Sequence, residues 1–155
     1  MSDILNGNEL NNNYGYTYGY ALISLCATLG EELPYQQEIK LGYETDYINQ
    51  FLKEDFGLKD FNIEYFLFSD EKLSSFPIPN IEEFPMLSVI KLEELKKLKE
   101  QLKHIKITDE KIKELEESED ENDEDRFESY EHIKGIVDNI DFCIEKELDL
   151  FSACH

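Results

Sequence analysis

Basic residues are scarce in this chain: 15 lysines and arginines stand against 36 aspartates and glutamates, so the 155 residues carry a formal net charge of −21. Nucleic-acid phosphates and anionic membrane surfaces both bind positive charge, and this balance excludes ordinary affinity for either. A compact state this acidic also repels itself. The charge therefore indicates either a basic partner or a surface kept acidic for solubility.

Cysteines and long apolar runs are scarce as well. The three cysteines, Cys26, Cys143 and Cys154, are an odd number without close spacing, which predicts free thiols. No apolar run approaches the ~20 residues that a membrane span needs. Residues 1–10 have neither the basic nor the apolar region of a signal peptide. We therefore expect a cytoplasmic protein with no membrane attachment.

Motifs for catalysis and for cofactor binding are also missing. The sequence contains no glycine-rich phosphate loop, no Gly-x-Ser-x-Gly and no His-Glu-x-x-His. His132 and Cys143 are eleven residues apart, and Cys154 is next to His155, whereas structural zinc sites use paired, closely spaced ligands. A nucleophilic pair of Cys154 with His104 or His132 stays open, although no other residue supports it. We predict that the protein is not an enzyme and holds no metal or cofactor.

One acidic stretch partly matches a calcium-binding loop. With Asp120 as the first position, Asn122, Glu124 and Glu131 occupy the third, fifth and twelfth positions, where oxygen ligands are expected. The sixth position requires glycine for a sharp turn, and Asp125 stands there. The match leaves a divalent-ion-binding module as an alternative function.

Apolar material is ample, since hydrophobic residues make up 41% of the chain and include ten phenylalanines and nine tyrosines. A chain of this length fits one domain with a substantial core. We interpret residues 1–13 as a flexible leader and residues 14–155 as a single domain. The order of the predicted strands and helices indicates an α+β fold, in which helices pack on one face of a small, mostly antiparallel sheet.

Three segments are predicted to supply most of the sheet. Residues 14–25 begin with tyrosines at alternate positions, and this period of two is typical of a strand. Whether residues 20–29 are strand or helix stays open. Residues 63–68 are rich in strand-forming side chains, and residues 149–154 form a terminal strand. A short apolar stretch over residues 86–90 is a further candidate.

Helical periodicity dominates the other segments. Apolar residues recur every three or four positions over residues 92–104 and again over residues 127–147, which predicts two amphipathic helices. Residues 45–56 have a similar pattern, and Gly57 is placed to end that helix. Thr108 is a candidate N-cap of another short helix.

The densest acidic run spans residues 114–125 and contains nine acidic residues and no basic one. Because so many like charges cannot be buried unpaired, we predict an exposed, mobile acidic loop between two helices. Its carboxylates can pair with lysines and arginines of a partner, and exposed tyrosines of the N-terminal segment are candidate anchors for the same partner. The predicted partner-binding residues are Glu116, Glu119, Asp120, Asp123, Glu124, Tyr16 and Tyr18.

In size, acidity and α+β pattern the whole chain resembles the small acidic immunity proteins of bacterial toxin–antitoxin and contact-dependent competition systems. The resemblance implies an inhibitor that neutralises a toxin nuclease by covering its positive active site. Complementary charge would speed the association and favour a basic partner. The alternative is a phage-encoded mimic of nucleic acid that blocks a host defence nuclease. The sequence does not indicate the oligomeric state.

Overall fold

The computed structural model describes residues 12–69, 78–79, 81 and 84–154. Over these residues the chain is α+β, with six α-helices and one antiparallel pair of strands, which confirms the predicted fold class. The helices are α1 (Gly15–Leu29), α2 (Tyr43–Glu54), α3 (Ile63–Phe68), α4 (Leu92–Leu102), α5 (Asp109–Glu116) and α6 (Glu121–Glu145). The strands are β1 (Met86–Ile90) and β2 (Leu150–Cys154).

Contacts within the chain divide it into two compact units. The first contains the described residues up to 32, those of 67–90 and those after 149, and the second contains residues 33–66 and 91–149. In the first unit β1 and β2 pair antiparallel, with Met86 opposite Cys154 and Ile90 opposite Leu150. Both strands were predicted, and both are confirmed.

The N-terminal segment is helix α1, so the strand predicted over residues 14–25 is wrong, and residues 20–29 are helical. Gly15 and Gly19, which are four residues apart, are the buried residues of α1. A Cβ atom on Gly19 would lie 2.8 Å from Cδ1 of Ile81 and 2.9 Å from Cγ of Pro85. The small residues therefore share one helical face that contacts the segment before β1, and the alternating tyrosines do not mark a pleated strand.

Residues 63–68 form helix α3, so the strand predicted there is also wrong. The Asn62 side chain accepts a hydrogen bond from the Tyr65 N–H at 2.8 Å, and the Asn49 side chain accepts one from the Ile63 N–H at 2.8 Å. These side chains satisfy two of the N–H groups that the start of a helix leaves unpaired. The capping interactions outweigh the strand propensity of a short aromatic run.

In the second unit, helices α2, α4 and α5 all pack against the long helix α6. The helices predicted over residues 45–56, 92–104 and 127–147 are confirmed. Thr108 caps α5 as expected, since its side chain accepts a hydrogen bond from the Lys111 N–H. Gly57 has a φ of +72° just after α2, a conformation that favours glycine. The buried side chains include Ile48, Phe51, Leu95, Leu98, Leu115, Ile133 and Ile140.

The acidic run is a loop only in part, which corrects the prediction of an acidic loop over residues 114–125. Helix α5 continues to Glu116 and α6 begins at Glu121, so residues 117–120 alone connect them. Asp123 and Glu124 lie in the first turn of α6, where the helix dipole favours negative charge. Residues 116–120 are exposed, as predicted.

The predicted leader, residues 1–13, lies almost entirely outside the described residues, which begin with a 3₁₀ turn at Asn12–Tyr14. Within the described part of the chain, no helix combines the length and the apolar character needed to cross a membrane.

Candidate functional site

A surface pocket of about 380 Å³ lies at the connection between α5 and α6. Two apolar side chains line it: Leu115, which is 6% exposed, and Phe127, which is half-buried. The polar part of the lining consists of Ser118 and four carboxylates, Glu116, Glu119, Asp120 and Glu124. We call this site the acidic pocket.

The connection is held in shape by its own hydrogen bonds. Ser118 Oγ donates to Asp123 Oδ2 at 2.7 Å and accepts from the Asp120 N–H at 3.2 Å. The Asp123 N–H in turn donates to the Asp120 carbonyl at 2.8 Å. The Asp123 carboxylate therefore stabilises the turn itself, and Glu116, Glu119 and Glu124 are exposed around the pocket.

Three of the four carboxylates that line the acidic pocket are not paired with a cation of the described structure. Glu116, Glu119 and Glu124 make no hydrogen bond or ion pair with any other described residue. The lysines of α5 are paired elsewhere: Lys111 with Glu114 at 3.4 Å and Lys113 with Glu117 at 3.6 Å. Between residues 109 and 131 the chain has thirteen acidic and three basic residues. The negative potential at this end of the second unit is therefore strong.

The pKa of Glu131, further along α6, is affected by this potential. Burial raises the pKa of its carboxyl group above the ordinary value, and the nearby charges of Glu116 and Glu128 raise it further. A cation placed here would act in the opposite direction, because it stabilises the ionised carboxylates. The α5–α6 surface thus gains from a positively charged ligand.

A second depression, of about 310 Å³, shares Glu116 with the acidic pocket but differs in its charge balance. Its lining includes Lys134, whose ammonium group lies 2.9 Å from Asp138 and 3.5 Å from Asp109. The hydrogen bond to Asp138 raises the pKa of Lys134. Here the chain supplies its own cation, so the acidic pocket is the better site for an external one.

Tyr35, which lines the second depression, belongs to a buried polar network. The Tyr35 hydroxyl and His132 Nδ1 are 2.7 Å apart, and His132 Nε2 lies 3.5 Å from Glu44 Oε2. Glu44 also accepts hydrogen bonds from both the N–H and the ammonium group of Lys40, each at 2.7 Å. His132 and Glu44 are 5% and 7% exposed. The network ties the segment before α2 to α6.

The protonation states in this network follow from burial. Burial lowers the pKa of His132. Burial raises the pKa of Tyr35, and the charges of Glu131 and Glu44 raise it further. Burial would raise the pKa of Glu44, but the hydrogen bonds from Lys40 outweigh it and the pKa is lowered. At neutral pH a protonated Tyr35 therefore donates to a neutral His132, next to an ionised Glu44. In this arrangement every group of the network has a hydrogen-bond partner, as expected of a network that stabilises the fold.

Sequence reasoning missed this network entirely, because Tyr35 and His132 are 97 positions apart. The one local signal was Gly135 in the middle of a helix, where glycine costs about 1 kcal/mol relative to alanine. Such a residue indicates a close approach by another part of the chain, and that part is the Tyr35 ring.

The predicted partner-binding residues fall into two groups. Glu116, Glu119, Asp120 and Glu124 line the acidic pocket, and Asp123 lies in the same turn. The two tyrosines lie on α1, in the other compact unit, where Tyr16 is 55% exposed and Tyr18 is half-buried.

The residues of the partial match to a calcium loop do not form such a loop. Residues 121–131 belong to the single helix α6, so the backbone cannot wrap around an ion as a calcium loop does. Across the described ranges, no group of three or more His, Cys, Asp and Glu side chains is placed to hold a metal ion. Each of the three cysteines is a free thiol whose pKa is raised by burial.

Comparison with known proteins gives a family but no relative of known activity. A family model described as a domain of unknown function, DUF7691, matches residues 1–155, which is the whole chain. Comparison with curated proteins found no match, and comparison with solved structures found none either. The chain therefore belongs to the DUF7691 family of domains of unknown function.

Proposed function

We propose that this protein acts by stoichiometric binding to a basic protein, and that a lysine or arginine side chain of the partner enters the acidic pocket. The observation that supports this most directly is the lining of the pocket. It combines the apolar side chains of Leu115 and Phe127 with carboxylates, and Glu116, Glu119 and Glu124 have no cationic partner among the described residues.

A long basic side chain matches both parts of that lining. Lysine and arginine have apolar stems that pack along hydrophobic surface while the charged group stays at the edge. An arginine could also bond a carboxylate through two N–H groups, which adds geometric specificity. The acidic pocket offers apolar contact and several acceptors within one turn of α5 and α6.

In an active site that binds nucleic acid, such a side chain is surrounded by other basic residues. The acidic surface around the pocket is complementary in charge to such a site. Nucleases hold phosphates with lysine and arginine, and an acidic protein that pairs with those residues competes with the substrate. We therefore propose inhibition of a basic nuclease, in the manner of an immunity protein, as the specific form of the binding function. The role is binding rather than catalysis.

A matched pair of variants tests the pocket. The pocket variant carries Glu116→Gln, Glu119→Gln and Glu124→Gln, and the control carries Glu31→Gln, Glu38→Gln and Asp60→Asn at exposed positions elsewhere. Both variants shift the net charge from −21 to −18. Binding of capped hexalysine and hexaarginine peptides is measured by calorimetry at low salt. We expect the pocket variant to bind at least about tenfold more weakly and the control less than about twofold.

Two outcomes contradict the proposal. Equal weakening by both variants would mean that net charge alone attracts the peptide, and no binding by the wild type would mean that the pocket does not accept a basic side chain.

The natural partner is sought with the same three proteins as baits, at low and at physiological salt. A basic protein that the wild type and the control retain in one-to-one ratio, and that the pocket variant loses, supports the proposal. Retention by all three baits counts against the pocket.

A further inference from the structure

Helix α1 differs from the other five helices of the described structure in having no charged residue. Charged residues make up 33% of the sequence, yet none occurs between positions 10 and 30, the longest uncharged run in the chain. Helix α1 occupies residues 15–29 of that run. A protein with a net charge of −21 thus carries one neutral helix about 22 Å long.

Most of this apolar helix is accessible to solvent. Its buried residues are Gly15 and Gly19, on the face against Ile81 and Pro85. Tyr16 and Tyr20 are 55% and 45% exposed, and they lie four positions apart on a common side of the helix. At its end, Leu29 is 79% exposed. Several exposed large apolar side chains on one helix are typical of an interaction site.

The hydroxyl groups of α1 do not make this surface polar. Ser24 Oγ donates to the Tyr20 carbonyl at 3.0 Å, and Thr28 Oγ1 donates to the Ser24 carbonyl at 2.7 Å. Both hydroxyls are therefore satisfied within the helix, as in helices that face apolar surroundings. The tyrosine hydroxyls and that of the exposed Thr17 retain a need for water or a polar partner.

We propose that α1 is a self-association surface, through which two copies of this chain pair. The charge distribution selects this occupant. A second copy carries the same −21 charge, so two copies repel each other least where the surface bears no charge, and α1 is the helix that bears none. A twofold axis would place α1 of one copy against α1 of the other, so that each presents the same patch.

The available area fits a weak dimer. A tyrosine side chain carries about 150–250 Å² of surface, and Tyr14, Tyr16 and Tyr20 are each close to half exposed. These three side chains therefore contribute roughly 600 Å² for two copies. Leu29 and the half-buried aliphatic side chains of α1 bring the total toward the ~1,000 Å² at which specific interfaces begin. We expect a dissociation constant on the order of 10–100 µM.

Salt dependence separates this association from the complex proposed above. Repulsion between two copies of charge −21 is screened by salt, and apolar contact is not, so the dimer should strengthen as ionic strength rises. A complex with a basic partner should weaken under the same change. The two proposals therefore succeed or fail independently.

Analytical ultracentrifugation of the wild-type chain is the first test, from about 5 to about 500 µM protein in about 0.05 M and about 0.5 M NaCl. We expect the 18.3 kDa monomer at low concentration and a species of twice that mass at high concentration, with a lower dissociation constant in high salt. A monomer under all conditions, or a dimer that weakens with salt, would overturn the proposal.

Two double variants locate the interface. Tyr16→Lys with Tyr20→Lys removes aromatic surface from α1 and lowers the net negative charge by two, so a loss of the dimer cannot come from a larger net charge. Tyr43→Lys with Tyr65→Lys makes the same change at tyrosines that are 59% and 58% exposed on other helices. We expect at least a tenfold rise of the dissociation constant in the first variant and less than a twofold change in the second.

Dimerisation of both double variants to the same extent would overturn the assignment to α1. Circular dichroism confirms that helix content is kept. If the lysine pair reduces it, Tyr16→Ser with Tyr20→Ser replaces that pair, and the wild-type salt series decides independently of any variant.

Discussion

Tyr35 lies directly over Gly135 of α6, so close that a Cβ atom at position 135 would come within 2.1 Å of Cγ in the tyrosine ring. The Tyr35 N–H and carbonyl also bond the Asn139 side chain at 2.9 and 2.8 Å, and its hydroxyl is 2.7 Å from His132 Nδ1. His132, Gly135 and Asn139, on successive turns of α6, thus all contact Tyr35, which lies in an irregular segment. This contact fixes the chain before α2 on the long helix.

Gly135→Ala should destabilise the protein by about 1–3 kcal/mol, because the added methyl group overlaps the Tyr35 ring. In the Tyr35→Ala background the overlap is gone, and the same substitution should stabilise by up to about 1 kcal/mol through helix propensity. Urea unfolding of the four proteins of this double-mutant cycle measures the difference. Equal effects of Gly135→Ala in the two backgrounds would show that the two residues do not compete for space.

Stability should fall below about pH 6.5 because of His132. Burial, together with the charge of Lys40, lowers the pKa of His132, while Glu44 acts in the opposite direction and Tyr35 occupies Nδ1. As pH falls through the ordinary value of about 6.5, the unfolded chain binds the proton first, so stability present above that pH is lost below it. Unfolding free energies of the wild type and His132→Asn are compared between pH 7.5 and 5. The wild type should lose more, at a rate of at most ~1.4 kcal/mol per pH unit; parallel curves would contradict this.

Glu131→Gln should stabilise the protein at pH 7. Burial and the charges of Glu116 and Glu128 raise the pKa of Glu131, so its ionised form costs folding free energy above the unfolded pKa and the cost disappears as pH falls. We expect a gain of a few tenths to about 1 kcal/mol at pH 7, discounted for solvent screening. The gain should shrink toward pH 4 and in high salt. A gain that is independent of both would have another cause.

Ser88→Ala should stabilise the first unit. Ser88 is fully buried in β1, and its hydroxyl has no hydrogen-bond partner within the described structure. Removing an unpaired buried hydroxyl should contribute about 1 kcal/mol. The control is Ser152→Ala at the opposite position of β2, which is half-buried and should change the unfolding free energy by less than about 0.5 kcal/mol. Equal changes in thermal unfolding would contradict the assignment.

Local pattern was enough for several elements of this fold. The apolar spacing over residues 92–104 and 127–147 predicted α4 and α6, because an amphipathic helix needs only one apolar stripe in register with its turn. Thr108 was identified as an N-cap because its side chain bonds an N–H three residues away. The acidic residues that line the pocket were also predicted, since charge density can be read directly from the sequence.

The conformations of two other segments depended on side-chain contacts that the spacing of apolar residues does not reveal. Residues 14–25 carry both a two-residue alternation and glycines four apart, and the contact of Gly19 with Pro85 and Ile81 favours the helix. In residues 63–68, the hydrogen bonds that the Ile63 and Tyr65 N–H groups donate to the Asn49 and Asn62 side chains favour the helix. Neither segment is long enough for periodicity alone to separate strand from helix.

By itself the sequence determined the fold class, the long helices and the concentration of negative charge, because each of these follows from composition or from spacing within a few residues. The tertiary structure decided the conformation of α1 and α3, the division of the acidic run into two helices and a short turn, and the meeting of Tyr35 with His132 and Gly135. The contacts of Gly19 and of Tyr35 join residues that are distant in the chain, and no local pattern encodes them. The start of α3 and the turn between α5 and α6 rest on side-chain hydrogen bonds over short distances in the chain, whose geometry apolar spacing does not reveal.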